Sequence, residues 1–189
     1  MNAAERLICS SSPWRYLTRR HLLPWLLSKT SLGDHLLEIG AGYGAATAAL
    51  QSRLSRVTAL EYDHKSGLKL KSRNSNATTW VVGGDAARLP FASQTFSAAL
   101  AALVLHHLKT TELQDQTFAE TFRVLQPGGV FIIFEIMDGW FNRAFHIHST
   151  FTPVRPDSVF ARLSAVGFSK INLDKRAGSF RLTAIRSTE

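Results

Sequence analysis

The segment Leu36-Leu37-Glu38-Ile39-Gly40-Ala41-Gly42-Tyr43-Gly44 constrains this chain more than any other stretch. A short apolar run from His35 to Ile39 stops at a cluster of glycines, and residues 45–54 (AATAALQSRL) are strong helix formers. A strand, a glycine turn and a helix in that order open a β-α-β unit. Glycines permit positive φ and let a ligand approach the backbone closely. The free N–H groups of the new helix favour an anionic or electron-rich ligand group. A β-branched run over 57–61 predicts the next strand, ending at Glu61, twenty-one residues after Gly40. A carboxylate there can accept two hydrogen bonds from a ribose diol, each contributing ~1.5–3 kcal/mol. The turn and Glu61 together point to nucleoside binding. They do not choose the nucleoside, because Gly40 to Ala45 also satisfies the dinucleotide pattern G-x-G-x-x-G/A.

The alternation continues down the chain. Residues 14–29 read as an amphipathic helix kinked or divided at Pro24, and 65–73 as a basic helix. Strands are predicted over 78–82 and within 96–105, a helix over 111–124 and a buried strand over 130–136, with Gln126-Pro127-Gly128-Gly129 as the break between the last two. A helix over 157–165 precedes two strands, 167–174 and 179–185, joined at Arg176-Ala177-Gly178 as a hairpin. This order predicts an α/β fold: a Rossmann-like, seven-stranded, mostly parallel sheet with an antiparallel C-terminal hairpin and helices on both faces. With no repeat, low-complexity tract or linker, residues 1–189 read as one domain, 1–32 being a helical lid and 33–189 the Rossmann-like core.

Composition excludes several classes. The single Cys9 forbids an internal disulfide and a cysteine-based metal site, and it fits a reducing, cytoplasmic setting. No apolar run approaches the ~20 residues of a membrane span. Arg19-Arg20 precedes the apolar stretch 22–27, but Pro24 interrupts it and it is shorter than the roughly 7–15 residues of an export signal. The net charge of +8 invites a nucleic-acid reading. The excess is dispersed, however, and residues 76–139 carry three basic against six acidic side chains. Nucleic-acid binding would require Arg15, Arg19, Arg20, Lys69, Lys71 and Arg73 to share one face.

Three features narrow the cofactor. The Tyr-x-x-x-Lys pair of single-domain reductases is absent: the residues four after Tyr16, Tyr43 and Tyr62 are Arg20, Thr47 and Ser66. Gly84-Asp85-Ala86-Ala87-Arg88-Leu89-Pro90-Phe91 follows the third strand, and Arg123-Val124-Leu125-Gln126-Pro127-Gly128-Gly129 precedes the fifth. Taken with the glycine turn, these resemble the class I S-adenosylmethionine-dependent methyltransferases, in particular the small-molecule group that includes the ubiquinone/menaquinone C-methyltransferases. The resemblance covers about residues 33–136 by motif. It implies that Glu38, Gly40, Ala41, Gly42 and Gly44 hold the methionine portion of S-adenosylmethionine. Glu61 would hold the ribose hydroxyls, with Tyr62 beside the adenine. Gly84 and Asp85 would meet the adenine amino group, with Ala86 donating its backbone N–H to the ring, while Ala101 and Leu103 would line the sulfonium side. One departure is Ser97, where the family often carries a structural Asp.

The acceptor side is less constrained. The Asn/Asp-Pro-Pro-aromatic tetrad of amino-methylating enzymes is replaced by Ala101-Ala102-Leu103-Val104, and neither a cysteine nucleophile nor acidic metal ligands occupy that place. The next four residues are Leu105-His106-His107-Leu108. His106 is the candidate base or orienting group, the alternative being a helix-start histidine bonded to backbone. Trp14, Tyr16, His107, Trp140, Phe145 and His146 are candidates to line an apolar or aromatic small-molecule acceptor, whereas Trp25 and Phe141 read as packing. His146 and His148, two apart, share a face if the segment is a strand; further metal ligands are not identifiable, so no metal is expected. The expected state is a monomer or homodimer without membrane insertion, with RNA methylation or nucleic-acid binding on the same fold as the alternative.

Overall fold

The structure is a computed structural model describing residues 2–28, 30–73 and 78–188. Seven strands form one sheet in the order β3-β2-β1-β4-β5-β7-β6. They are β1 (His35–Ile39), β2 (Arg56–Glu61), β3 (Thr79–Gly83), β4 (Phe96–Ala102), β5 (Leu125–Ile136), β6 (Phe168–Arg176) and β7 (Ser179–Arg186). The first five run parallel, while β7 is antiparallel to both β5 and β6. This is the architecture that the alternation predicts. Central strands such as β1 and β4 are buried nearly throughout because helices cover both faces. One face is packed by Phe96, Phe118, Phe131, Phe180 and their neighbours. The other packs Leu36, Leu50, Leu100 and Ile132 against Leu23 and Leu26 of the N-terminal helices.

Those N-terminal helices depart from the expectation. An unforeseen helix, α1 (Ala3–Ser10), is closed by a reciprocal capping box between Asn2 and Glu5. The 14–29 prediction resolves into α2 (Ser12–Leu17), a wider π-helical turn over Thr18–Leu22, and α3 (Leu23–Leu26); Lys29 lies outside the described residues. The π turn has a direct cause. Pro24 has no N–H to donate, and the Leu23 N–H reaches back five residues to the Thr18 carbonyl. The expected 45–54 helix is confined to α4 (Thr47–Leu50), because 40–46 are taken up by the turn. Residues 126–129 are not a break between elements. They belong to β5, with Gly128 at φ +77° and a register shift against β4 absorbing the irregularity.

Among the described residues four further α-helices follow: α5 (His64–Arg73), α6 (Thr111–Val124), α7 (Trp140–Phe145) and α8 (Pro156–Val166). Thr110 caps α6 through its side chain, and Pro156 and Gly167 bracket α8. Among the described residues, no helix is long and apolar enough to cross a membrane. The strand order reverses direction at β1 and β4. In open α/β sheets the ligand crevice lies outside the carboxyl ends of the strands at such a switch point.

Candidate functional site

The turn after β1 is fixed by two backbone bonds: the Gly40 and Ala41 N–H groups both donate to the Leu60 carbonyl, at 2.9 and 3.0 Å. Gly40 has φ +69°, and a Cβ there would come within 2.5 Å of a Val104 methyl carbon. Glycine is therefore required both by backbone conformation and by the close approach of the β4 end. Gly42 also has positive φ, at +55°, but nothing lies within 4 Å of where its Cβ would be. Its backbone is open to a ligand on that side.

Glu61 joins this turn to the second strand. It accepts from the Gly42 N–H at 2.7 Å and from the Asp63 N–H at 2.8 Å. A carboxylate has about four lone-pair positions, so two bonds leave capacity for a diol. Glu61, Tyr62, Asp63, Gly83, Gly84 and Asp85 border a hollow of about 340 Å³. Asp85 is shaped by the Ala87 N–H, which donates to its Oδ1 at 2.9 Å, and Ala86 is buried beside it. The segment after Asp85 is clasped from α6: the Leu89 N–H donates to Glu120, and Arg123 donates to the Leu89 and Phe91 carbonyls. Arg123 and Glu120 are themselves paired, which lowers the Glu120 carboxyl's pKa. The motifs singled out before and after β4 thus act on one another.

Glu38 lies deeper, one strand position before Ile39. It is buried and accepts from the Thr47 hydroxyl at 2.6 Å. Burial pushes its carboxyl up to about 7, against the pull of the Thr47 bond. Ser97 takes a structural role: its hydroxyl donates to the Leu32 carbonyl at 2.7 Å, lies 3.0 Å from the His35 carbonyl and accepts from the His35 N–H, tying the start of β4 to the start of β1.

Ala101 needs correction as a lining residue. It pairs with Ile39 and Ile133 and its side chain is sealed in the core. Leu103 does stand at the strand end, held at φ +59° with its N–H donating to the Phe134 carbonyl at 2.8 Å. A left-handed leucine is uncommon and costs of order 1–3 kcal/mol, a strain that concentrates at functional sites.

Beyond Leu103 a 3-10 turn, Leu105–His107, presents both histidines. Its organiser is Glu135 of β5, which the sequence reading overlooks. Glu135 is 0% exposed. Its Oε1 accepts from the Val104 and Leu105 N–H groups at 3.0 and 2.7 Å, and its Oε2 meets His106 Nδ1 at 2.5 Å. His106 is only 2% exposed, so its ring faces other side chains and not open solvent. His107 Nδ1 meets the Thr150 carbonyl at 3.3 Å, and burial, with His106 close by, pushes the His107 imidazole down to about 3. His146 completes the group, with ring centroids 5.1 Å from His106 and 5.6 Å from His107.

The predicted lining residues therefore divide. His107, Phe145 and His146 gather beside His106, and α1 is fastened over this place: the Asn2 amide donates to the Phe145 and Ile147 carbonyls, and Ser149 donates to Glu5. Trp14 is half-buried on α2. Tyr16 and Trp140 are exposed, Trp140 by 81%, on α2 and on α7, a six-residue helix with no buried residue. Phe141, expected to pack, is likewise exposed. Trp25 does pack, donating to Asp174 and lying edge-on to Phe134. His146 and His148 do not share a strand face: His146 caps the C-terminus of α7, and His148 sits exposed at φ +64°.

Residues 37–133 match the family described as "Methyltransferase domain". A demethylmenaquinone methyltransferase of Thermobifida fusca is 32% identical over 106 residues, 54% of this chain and 44% of that protein. The chain spans about half the length of the curated relatives it matches. Among solved structures, a Pyrococcus horikoshii protein superposes with a TM-score of 0.80 at 18% identity, covering 97% of both chains. A Haemonchus contortus phosphoethanolamine N-methyltransferase in complex with S-adenosyl-L-methionine gives 0.73 at 13% identity, covering 92% of this chain and 60% of that one.

Proposed function

The chain belongs to the S-adenosylmethionine-dependent methyltransferase-domain family, and from that premise we propose that it transfers a methyl group from S-adenosylmethionine to a small apolar or aromatic acceptor. The observation that carries this reading is the bond that joins Glu61, at the border of the hollow that reaches Asp85, to the open glycine turn. The residues fit the cofactor. The exposed side of Gly42 leaves room for a ligand against backbone, and Glu61 has acceptor capacity for the ribose diol. When bound, S-adenosylmethionine supplies an activated methyl group on sulfur.

The protein's part is binding and alignment. Glu38 receives the ammonium of the methionine portion, Gly40, Ala41, Gly42 and Gly44 cradle that portion, and Asp85 and Ala86 hold the adenine edge beside Gly84 and Tyr62. Leu103 borders the methyl. Fixing a nucleophile in line with it accounts for up to ~7–11 kcal/mol of barrier in favourable cases. On the acceptor side stand His106, with Nδ1 already held by Glu135, and the half-buried Phe145. The likeness to a demethylmenaquinone methyltransferase supports an apolar ring acceptor. The region before β1 serves as a helical lid over the 33–189 core in one domain. A panel of quinols, phenols and sterols, with S-adenosylhomocysteine followed by mass spectrometry, tests the acceptor class. Product with at least one, lost in His106→Ala while cofactor affinity is kept, supports the reading; product only with nucleic acid contradicts it.

A further inference from the structure

His106, His107 and His146 come from two segments forty residues apart in the chain, yet one ring nitrogen of each lies within 4.8 Å of the others. Their hydrogen bonds sort those nitrogens. His106 Nδ1 faces the Glu135 carboxylate at 2.5 Å, His107 Nδ1 faces the Thr150 carbonyl at 3.3 Å, and His146 Nδ1 faces the Asn142 carbonyl at 2.6 Å. Carboxylate and carbonyl oxygens can only accept, so in each bond Nδ1 is the donor and carries the proton. In the neutral tautomer this fixes, each Nε2 bears a bare lone pair. Three imidazoles oriented in this way by a carboxylate or carbonyl at Nδ1 reproduce the support that metal-binding histidines receive.

The surroundings supply the rest. Phe151 stacks on the His146 ring at 4.6 Å and lies edge-on to His106 at 5.7 Å, making an apolar wall. A fourth donor is near: Glu5 of α1, buried, places Oε1 3.9 Å from His146 Nε2. Three imidazole nitrogens with one carboxylate oxygen suit a borderline divalent cation such as Zn²⁺, with metal–nitrogen bonds of about 2.0–2.1 Å. Tetrahedral bonds of that length set nitrogens about 3.4 Å apart, against the 4.8 Å within which one nitrogen of each ring lies here.

We propose that His106, His107 and His146 form a three-histidine site for a Zn²⁺-class divalent cation, oriented by Glu135 and faced by Glu5. The inference rests on the cluster's own geometry and stands whether or not the acceptor reading above holds: metal without turnover and turnover without metal are distinguishable results.

The test uses the full chain, stripped with chelator and titrated with Co²⁺ and Zn²⁺. The expected result is one equivalent of Co²⁺ with visible bands of a four-coordinate nitrogen-rich site, displaced by Zn²⁺. In the unmutated chain, ¹⁵N spectra then show the Nε2 signals of His106, His107 and His146 shifting on Zn²⁺ addition, with His21, His35, His64 and His148 unmoved. His107→Ala and His146→Ala weaken binding by at least tenfold, Glu135→Gln by roughly 10–100-fold, and His148→Ala leaves it unchanged. Absence of stoichiometric Co²⁺ binding, or shifts confined to other histidines, overturns the proposal without reliance on any variant.

Discussion

Glu135 gives the sharpest test of how the candidate site is held together. Three buried donors converge on it: the Val104 and Leu105 N–H groups on Oε1, and His106 Nδ1 on Oε2. In Glu135→Ala all three lose their acceptor in a buried place. Each orphaned donor costs about 1–3 kcal/mol, so the total is about 3–9 kcal/mol, comparable to the roughly 5–15 kcal/mol that stabilises an ordinary domain. Glu135→Gln is different in kind. The amide oxygen can keep both backbone bonds, and its NH₂ then faces His106 Nδ1. A charge-assisted bond of ~1.5–3 kcal/mol becomes a neutral one of ~0.5–1.5, and relief from burying a carboxylate offsets part of the loss. The expected cost is about 1–2 kcal/mol, or roughly 2–8 °C in Tm for a chain of this length. Because the amide can only donate on that side, His106 must shift its proton to Nε2. Urea unfolding measures the stability difference, and ¹⁵N imidazole shifts report the tautomer. An alanine variant no less stable than the glutamine variant, or a His106 that keeps its Nδ1 proton in Glu135→Gln, refutes the argument.

The same geometry sets other outcomes. Gly40→Ala places a methyl against Val104 at a left-handed φ, and about 2–5 kcal/mol of destabilisation is expected in denaturant unfolding from conformation and overpacking together. Glu38 has a folded pKa of about 7, above its unfolded value, so its contribution to stability is full below about 4.5 and declines as pH rises toward 7. Glu38→Gln flattens that part of the stability profile. If Glu38 receives the cofactor's ammonium, binding near neutral pH also releases a proton, measurable as a buffer-dependent calorimetric enthalpy. Ser97→Ala leaves the His35 N–H without its Ser97 acceptor and costs about 1–3 kcal/mol while leaving cofactor affinity unchanged. RNA gives no gel shift at low salt, because the +8 excess is dispersed along the chain and residues 76–139 carry three basic against six acidic side chains.

The features legible in the sequence are those whose cause is local. The glycine turn, Glu61 at the end of β2 and Asp85 after β3 each reflect a strand ending at a fixed place; Glu61 and Asp85 border one hollow, and Glu61 also holds the turn through the Gly42 N–H. Ser97 is readable as a structural substitute for the same reason. The acceptor side depends on distant contacts. Glu135 reads as a lone charge in the apolar run VFIIFEI, although a carboxylate in a buried strand must have partners, and that mismatch is the available signal. His146 cannot be joined to His106 and His107 from spacing, since an irregular turn and not a strand carries it. The Asn2 to Glu5 capping box is present in the sequence as N-x-x-E, but its importance lies in where α1 docks, against residues 145–149.

The central claim is that Glu61 and the glycine turn bind S-adenosylmethionine. Isothermal titration of the unmutated chain and of Glu61→Ala measures it directly. On this claim, removing the carboxylate takes away two charge-assisted bonds to the ribose, together with the brace on the Gly42 N–H. At ~1.5–3 kcal/mol per bond and about 1.4 kcal/mol per tenfold, affinity falls at least about a hundredfold. One-to-one binding of S-adenosylmethionine, weakened to that extent in Glu61→Ala and tighter than that of NAD, is the predicted result. Undiminished binding in the variant, or a preference for NAD, contradicts the claim.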